Sequence, residues 1–176
     1  MSEYTKVALD AMGGDNAPEC NVLGALEAVS ENENLQVYLV GQEEVINKSL
    51  EGKTYDKERI VVVNATEIIE NAEPPVMAIR KKKDSSIVKA MNMVKNGECD
   101  AYVSAGSTGA TLVGGQVVVG RIKGVERAPL APLIPTEKGC SLLIDCGANV
   151  DARPSFLVQF AKMGSVYMEY VLGVKN

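Results

Sequence analysis

Four stretches of this sequence carry residue types and spacings suited to chemistry. The most informative is Ser104-Ala105-Gly106-Ser107-Thr108-Gly109-Ala110. Small residues let a backbone approach an anion closely, and a helix starting behind such a loop offers unpaired N–H groups at its positive end. The Ser107 and Thr108 hydroxyls would add donors, and the pattern suits phosphate. It lacks the Gly-Lys-Ser/Thr ending of a nucleotide phosphate loop and the Gly-x-Gly-x-x-Gly of a dinucleotide site. The same residues would also serve as a tight strand-to-helix turn with no ligand.

The second stretch, Asp10-Ala11-Met12-Gly13-Gly14-Asp15-Asn16-Ala17-Pro18, places carboxylates and an amide around a Gly-Gly bend. It would orient a substrate or hold a cation such as Mg²⁺; alternatively Asp15 and Asn16 cap the helix that follows. The third, Asp145-Cys146-Gly147-Ala148-Asn149-Val150-Asp151, is again acidic and bent at glycine. In the fourth, Arg80-Lys81-Lys82-Lys83-Asp84-Ser85-Ser86, four cations precede a possible helix start. They would neutralise a bound phosphate or a developing oxyanion, or form a solvated helix end.

Composition narrows the chemistry. The 176 residues contain no histidine, which excludes Ser-His-Asp, Cys-His and every other imidazole-based mechanism within the chain. Cys20, Cys99, Cys140 and Cys146 form no Cys-x-x-Cys pair, so no zinc site is expected. They read as reduced intracellular thiols, and nothing beside Cys146 would activate it as a nucleophile. A net charge of −5 with two Phe and no Trp gives neither the basic surface nor the aromatic platform of a nucleic-acid binder. No apolar run approaches a membrane span and no secretory signal is recognised, so a cytoplasmic protein is expected.

These loops need a scaffold to aim them. Strands are predicted at 7–10, 35–40, 60–63, 101–104, 130–134 and 141–145. Helices are predicted over 18–29, 43–50, 76–83, 85–96, 110–119 and 154–172. The β-branched run at 60–63 marks a strand covered on both faces. Alternating strand, loop and helix predict a single α/β domain over 1–176, with three layers around a mostly parallel sheet. Ligand loops of such a sheet gather at the carboxyl ends of its strands.

Five motifs, in order, resemble the PlsX family of bacterial phosphate acyltransferases. They are Val-Ala-Leu-Asp-Ala-Met-Gly-Gly-Asp-Asn-Ala-Pro at 7–18, Arg-Lys-Lys-Lys-Asp-Ser-Ser at 80–86 and Ser-Ala-Gly-Ser-Thr-Gly-Ala at 104–110, then Gly-Arg-Ile-Lys-Gly-Val at 120–125 and Asp-Cys-Gly-Ala-Asn-Val-Asp at 145–151. Asn16 stands where many members carry histidine, and Cys146 replaces a more usual leucine. The resemblance implies a Rossmann-like fold related to isocitrate and isopropylmalate dehydrogenases. It implies transfer of an acyl group from acyl carrier protein to inorganic phosphate, for phospholipid synthesis, with no cofactor.

On that reading Ser104, Gly106, Ser107, Thr108 and Gly109 bind phosphate. Lys82, Lys83, Asp10, Asp15 and Asn149 are the catalytic candidates, and Gly13, Gly14, Asn16, Ser85, Ser86 and Asp145 line the cleft. A homodimer is implied. Members of the family continue into a second half, which implies that this chain is the N-terminal part of a longer enzyme, with peripheral membrane association carried by that half. Rival readings are an acyl-coenzyme A enzyme of the phosphotransacetylase type, a decarboxylating dehydrogenase relative, and a non-catalytic fragment that binds phosphate or carrier protein.

Overall fold

Four short runs rich in β-branched residues form one parallel sheet: β1 (Thr5–Asp10), β2 (Leu35–Gly41), β3 (Ile60–Asn64) and β4 (Ala101–Val103), in the order β3-β2-β1-β4. The computed structural model describes residues 4–174. Side chains alternate across the sheet, so each strand feeds two cores. Val37, Leu39 and Ile60 pack with Val22, Ala25 and Val29 of α1 (Glu19–Glu31) and with Ile46 and Leu50 of α2 (Glu43–Leu50). On the other face, Ala8 and Val40 pack with Ala90 and Met93 of α4 (Ser86–Lys95). This is the expected three-layer α/β arrangement.

Pro75 opens α3 (Pro75–Lys81), as suits a residue whose missing N–H would be unpaired in the first turn anyway. The buried helix expected over 110–119 starts slightly earlier, as α5 (Thr108–Gly114), and runs on into a π-helical turn at Gly115–Val119. A further cluster joins Ile79 of α3, Ile87 and Met91 of α4, and Ala110 of α5.

The strand order fixes where a ligand would sit. From β1 the chain steps outward to β2 and β3, then returns to place β4 on the opposite side of β1. The loops leaving β1 and β4 therefore diverge from neighbouring strand ends, the arrangement that opens a crevice in α/β sheets.

The chain divides into two compact units, Met1–Gly120 and Arg121–Asn176, and the parallel sheet lies in the first. In the second unit the structure corrects one expectation. The runs at 130–134 and 141–145 do not extend the parallel sheet. They contribute β5 (Leu133–Thr136) and β6 (Gly139–Leu142), a separate antiparallel hairpin with Leu133 opposite Leu142. The 145–151 loop thus follows a hairpin strand rather than a parallel one. Behind it α6 (Pro154–Tyr170) buries Phe156, Phe160 and Gly164, while Leu157 and Val166, expected on the same apolar face, are exposed.

Candidate functional site

The loops after β1 and β4 meet at the switch point, and a buried carboxylate ties them together. Asp10, the last residue of β1, is 1% exposed. Its Oδ2 accepts a hydrogen bond from the Ser104 hydroxyl at 2.8 Å, and its Oδ1 accepts from the Met12 amide at 3.1 Å. Ser104 Oγ in turn accepts from the Gly106 amide at 2.9 Å. Ser104 thus spends its proton on Asp10 and organises the loop.

The two backbones touch where they cross. A Cβ on Gly13 would stand 2.8 Å from the Gly106 nitrogen and 2.9 Å from its Cα, so glycine is demanded by space. Gly14, at φ +99°, needs glycine for conformation as well and lies against Ala105. Asn21 of α1 braces the bend from beneath: its Nδ2 donates to the carbonyls of Ala11 at 3.0 Å and Gly13 at 2.8 Å, and more distantly to Asp10. Asp15 and Asn16 are exposed, and neither caps α1, which Pro18 precedes with no side-chain cap.

In the 104–109 loop, Ser107 is buried and caps α5 by accepting from the Ala110 amide at 3.2 Å. That bond leaves its O–H free to donate. Thr108 is exposed, and the first-turn amides of Thr108 and Gly109 have no intrahelical acceptor. Gly109 presses on Pro75 at the start of α3; a Cβ there would lie 2.6 Å from the Pro75 Cγ.

Lys82 and Lys83 follow α3 directly, and their ammonium groups differ. Lys82 Nζ donates to the Ile68 carbonyl at 2.6 Å and forms an ion pair with Glu73. Lys83 donates to the Ile79 carbonyl at 3.1 Å, which leaves two of its N–H groups for other acceptors. Ser85 caps α4, accepting from Val88 N at 3.4 Å and donating to the Lys82 carbonyl at 2.8 Å; Ser86 is buried in the first turn.

Between these residues, Asp84 fastens the start of α4 to the end of β3. It accepts from the Thr66 amide at 2.9 Å and hydroxyl at 2.7 Å, and pairs with Lys89 at 2.5 Å. The Lys89 ammonium first, then Thr66, holds its carboxyl well below the ordinary 3.8. A carboxyl depressed by folding stabilises the fold while ionised. Its contribution is complete above the unfolded value and is lost as pH falls below it. Asp84→Asn should therefore reduce the drop in urea midpoint between neutral pH and about pH 2.5. An unchanged acid limb would show that the network adds nothing.

Asp145 and Asn149 stand in the second unit and hold a backbone rather than an open cleft. Asp145 Oδ1 accepts from the Leu130 amide at 2.7 Å and the Ala148 amide at 3.2 Å. Its Oδ2 accepts from the Asn149 amide at 2.8 Å and side chain at 2.9 Å. Burial pushes this carboxyl up, but the Leu130, Asn149 and Ala148 donors outweigh it and hold the pKa below its ordinary value. Asn149 Nδ2 also reaches the Ala128 carbonyl at 3.3 Å.

The structure thus brings together Asp10, Gly13, Gly14, Ser104 and Gly106, with Ser107, Thr108 and Gly109 continuing the second loop. Sequence reasoning missed Asn21, a lone amide inside a helical pattern, and Glu73, which claims Lys82 from nine positions away.

Comparison with known proteins agrees with this architecture. The family model described as fatty acid synthesis protein matches residues 5–176. The phosphate acyltransferase of Clostridium beijerinckii is 56% identical over 171 residues, which cover 97% of this chain and 51% of that protein. The phosphate acyltransferase of Clostridium novyi is 53% identical, with coverage of 97% and 52%. The chain spans about half the length of the curated relatives it matches. Among solved structures, a phosphotransacetylase from Streptococcus pyogenes superposes with a TM-score of 0.66 at 19% identity, covering 97% of this chain and 55% of that one. The EutD phosphotransacetylase from Staphylococcus aureus gives 0.63 at 19% identity, with coverage of 97% and 54%. At such identity the likeness is one of fold.

Proposed function

The chain belongs to the fatty acid synthesis protein family, and from that premise we propose that it is the N-terminal part of a phosphate acyltransferase that moves an acyl group from acyl carrier protein to inorganic phosphate. The observation that carries the reading is the meeting of the β1 and β4 loops at the switch point, backbone against backbone, beside the first turn of α5. Relatives named phosphate acyltransferase at about half identity support the reaction class.

In this reaction a phosphate oxygen attacks the thioester carbonyl. The tetrahedral intermediate then collapses with loss of the carrier's phosphopantetheine thiolate, giving acyl phosphate and free thiol. No protein nucleophile is needed, which suits a chain without histidine. The Thr108 and Gly109 amides, the Thr108 hydroxyl and the free O–H of Ser107 would hold phosphate. Ser104 acts through the loop that it orders, and Asp10 holds Ser104. Lys83 is a better cation for this role than Lys82, whose ammonium is already paired. Fixing both reactants removes the entropy cost of their encounter, a contribution that needs no acid–base group.

Among the described residues no helix is long and apolar enough to cross a membrane. The same reading places the enzyme in the cytoplasm as a homodimer. A second half like that of the relatives would complete the cleft and carry any contact with the membrane surface.

The test is phosphate-dependent consumption of palmitoyl carrier protein, with acyl phosphate trapped by hydroxylamine. This chain is compared with a version extended by a second half. Product from the extended version alone keeps the reaction and shows that the N-terminal part is insufficient. No product from either, or equal use of acyl-coenzyme A, overturns the assignment. Thr108→Ala should raise the KM for phosphate about tenfold while leaving that for the acyl donor unchanged. An unmoved phosphate KM would remove Thr108 from the site.

A further inference from the structure

Residues 65–74 cross from β3 to α3 outside any helix or named strand, with a parallel bridge pairing Glu67 and Ser85. Backbone groups in such a run must find partners beyond regular structure, and one ammonium group supplies them. Lys82 Nζ donates to the Ile68 carbonyl at 2.6 Å and to Glu73 Oε1. The same oxygen accepts from the Glu70 amide at 2.8 Å, and the Glu73 amide donates back to the Glu70 carbonyl at 3.1 Å. Lys82 thus grips both ends of a closed turn with two of its three N–H groups. Its hydrogen bond, ahead of that from Glu70, holds the Glu73 carboxyl below the ordinary 4.5, so the pair is ionised at neutral pH.

The gripped turn reaches the loop after β4. Ile69 is buried in the cluster that also holds Ile79 of α3 and Ala110 of α5. Pro74 and Pro75 follow Glu73 directly, and Pro75 stands against Gly109, where an added Cβ would lie 2.6 Å from the Pro75 Cγ. Two consecutive prolines have fixed φ, so a turn anchored at Glu73 passes its position on to Pro75 with little slack. Gly109 lies in the first turn of α5, and its amide is one of the donors assigned above to phosphate. Ammonium, carboxylate, proline pair and glycine backbone form one short chain of contacts.

We propose that Lys82 and Glu73 are positioning residues for the loop after β4. Their ion pair fixes the 68–74 turn, the turn sets Pro75, and Pro75 holds the first turn of α5 in place. The link itself is a matter of contacts, and only the identity of what that turn binds rests on the function proposed above. Lys82 meets the Glu73 carboxylate rather than the reacting atoms.

The test begins without a ligand, by hydrogen exchange in the 176-residue chain. The Ala110 amide donates to Ser107 Oγ and the Thr111 amide to the Ser107 carbonyl, so both report on the first turn of α5. Glu73→Gln and Lys82→Met should each speed exchange at these two amides about tenfold. Amides of β1 and β2 should keep wild-type rates, as should all of these in the control Glu44→Gln on α2. In the extended enzyme the same two variants should raise the KM for phosphate about tenfold, with kcat and the KM for the acyl donor within about twofold of wild type.

Lys82→Arg, which keeps the charge and the donors, should restore most of both effects. The double variant should be no worse than either single one, because each substitution removes the partner of the other. Unchanged exchange at Ala110 and Thr111 in Glu73→Gln overturns the proposal, and that variant decides alone if Lys82→Met does not fold. It is equally overturned if Lys82→Met raises the phosphate KM while Glu73→Gln lowers it, since Lys82 would then be holding phosphate itself. Faster exchange in an enzyme family that gives no phosphate-dependent product would uphold the link and remove the reaction.

Discussion

Asp10→Ala is expected to destabilise the first unit by about 3 kcal/mol and to lower phosphate-dependent turnover of an extended enzyme by roughly a hundredfold or more. The carboxylate is fully buried, with the Ser104 hydroxyl and the Met12 amide both donating to it. Alanine would leave those donors without acceptors, at about 1–3 kcal/mol each before relaxation, and would open a small cavity. Once released, Ser104 no longer fixes the Gly106 amide, and the loop proposed to hold phosphate loses its shape. Asp10→Asn makes the informative comparison. An amide oxygen can still accept from Met12, and Ser104 Oγ has a lone pair left to accept from the new NH₂. Asparagine should thus recover most of the stability while turning the Ser104 proton elsewhere. Urea denaturation and the KM for phosphate measure the two effects separately. An alanine variant that melts with wild type and keeps its phosphate KM would refute the role given to Asp10.

Gly13→Ala is the second large effect. The added methyl would press on the Asp10 carboxylate and come within 2.8 Å of the Gly106 nitrogen, and neither neighbour can yield without moving a loop. Overpacking of this kind costs about 2–3 kcal/mol. The displaced loops would misplace bound phosphate, and a shift of about 1 Å is enough for a hundredfold loss of rate. Gly24→Ala is the control. That glycine lies within α1 with open space around it, so alanine there should be neutral or stabilise by up to about 1 kcal/mol. If Gly13→Ala behaves like Gly24→Ala, the close approach of the two loops is not what shapes the site.

The parallel sheet was legible because its signals are local. The β-branched run at 60–63, the glycine that ends β2 and the serine that caps α4 each act within a few residues of themselves. The hairpin was misassigned for the complementary reason: apolar runs at 130–134 and 141–145 announce strands without naming a partner, and only the tertiary fold pairs Leu133 with Leu142. The candidate site divides the same way. Glycines and hydroxyls clustered in one loop are visible in the sequence. Whether a hydroxyl faces a ligand or a neighbour is not, as Ser104 and Ser107 show. Lys82 read as a free cation because Glu73 lies nine positions away.

The bond between Ser104 and Asp10 joins residues 94 positions apart. It cannot form until β4 has been made and has docked on β1, whereas the pairing of β1 with β2 closes a much shorter stretch of chain. Because long closures are entropically expensive and come late, the site should be among the last features of the first unit to mature. A ribosome that has released only the first three strands would display a β1 loop still lacking its partner. On the proposed function, a chain halted there would lack the Ser104 bond that orders the phosphate loop.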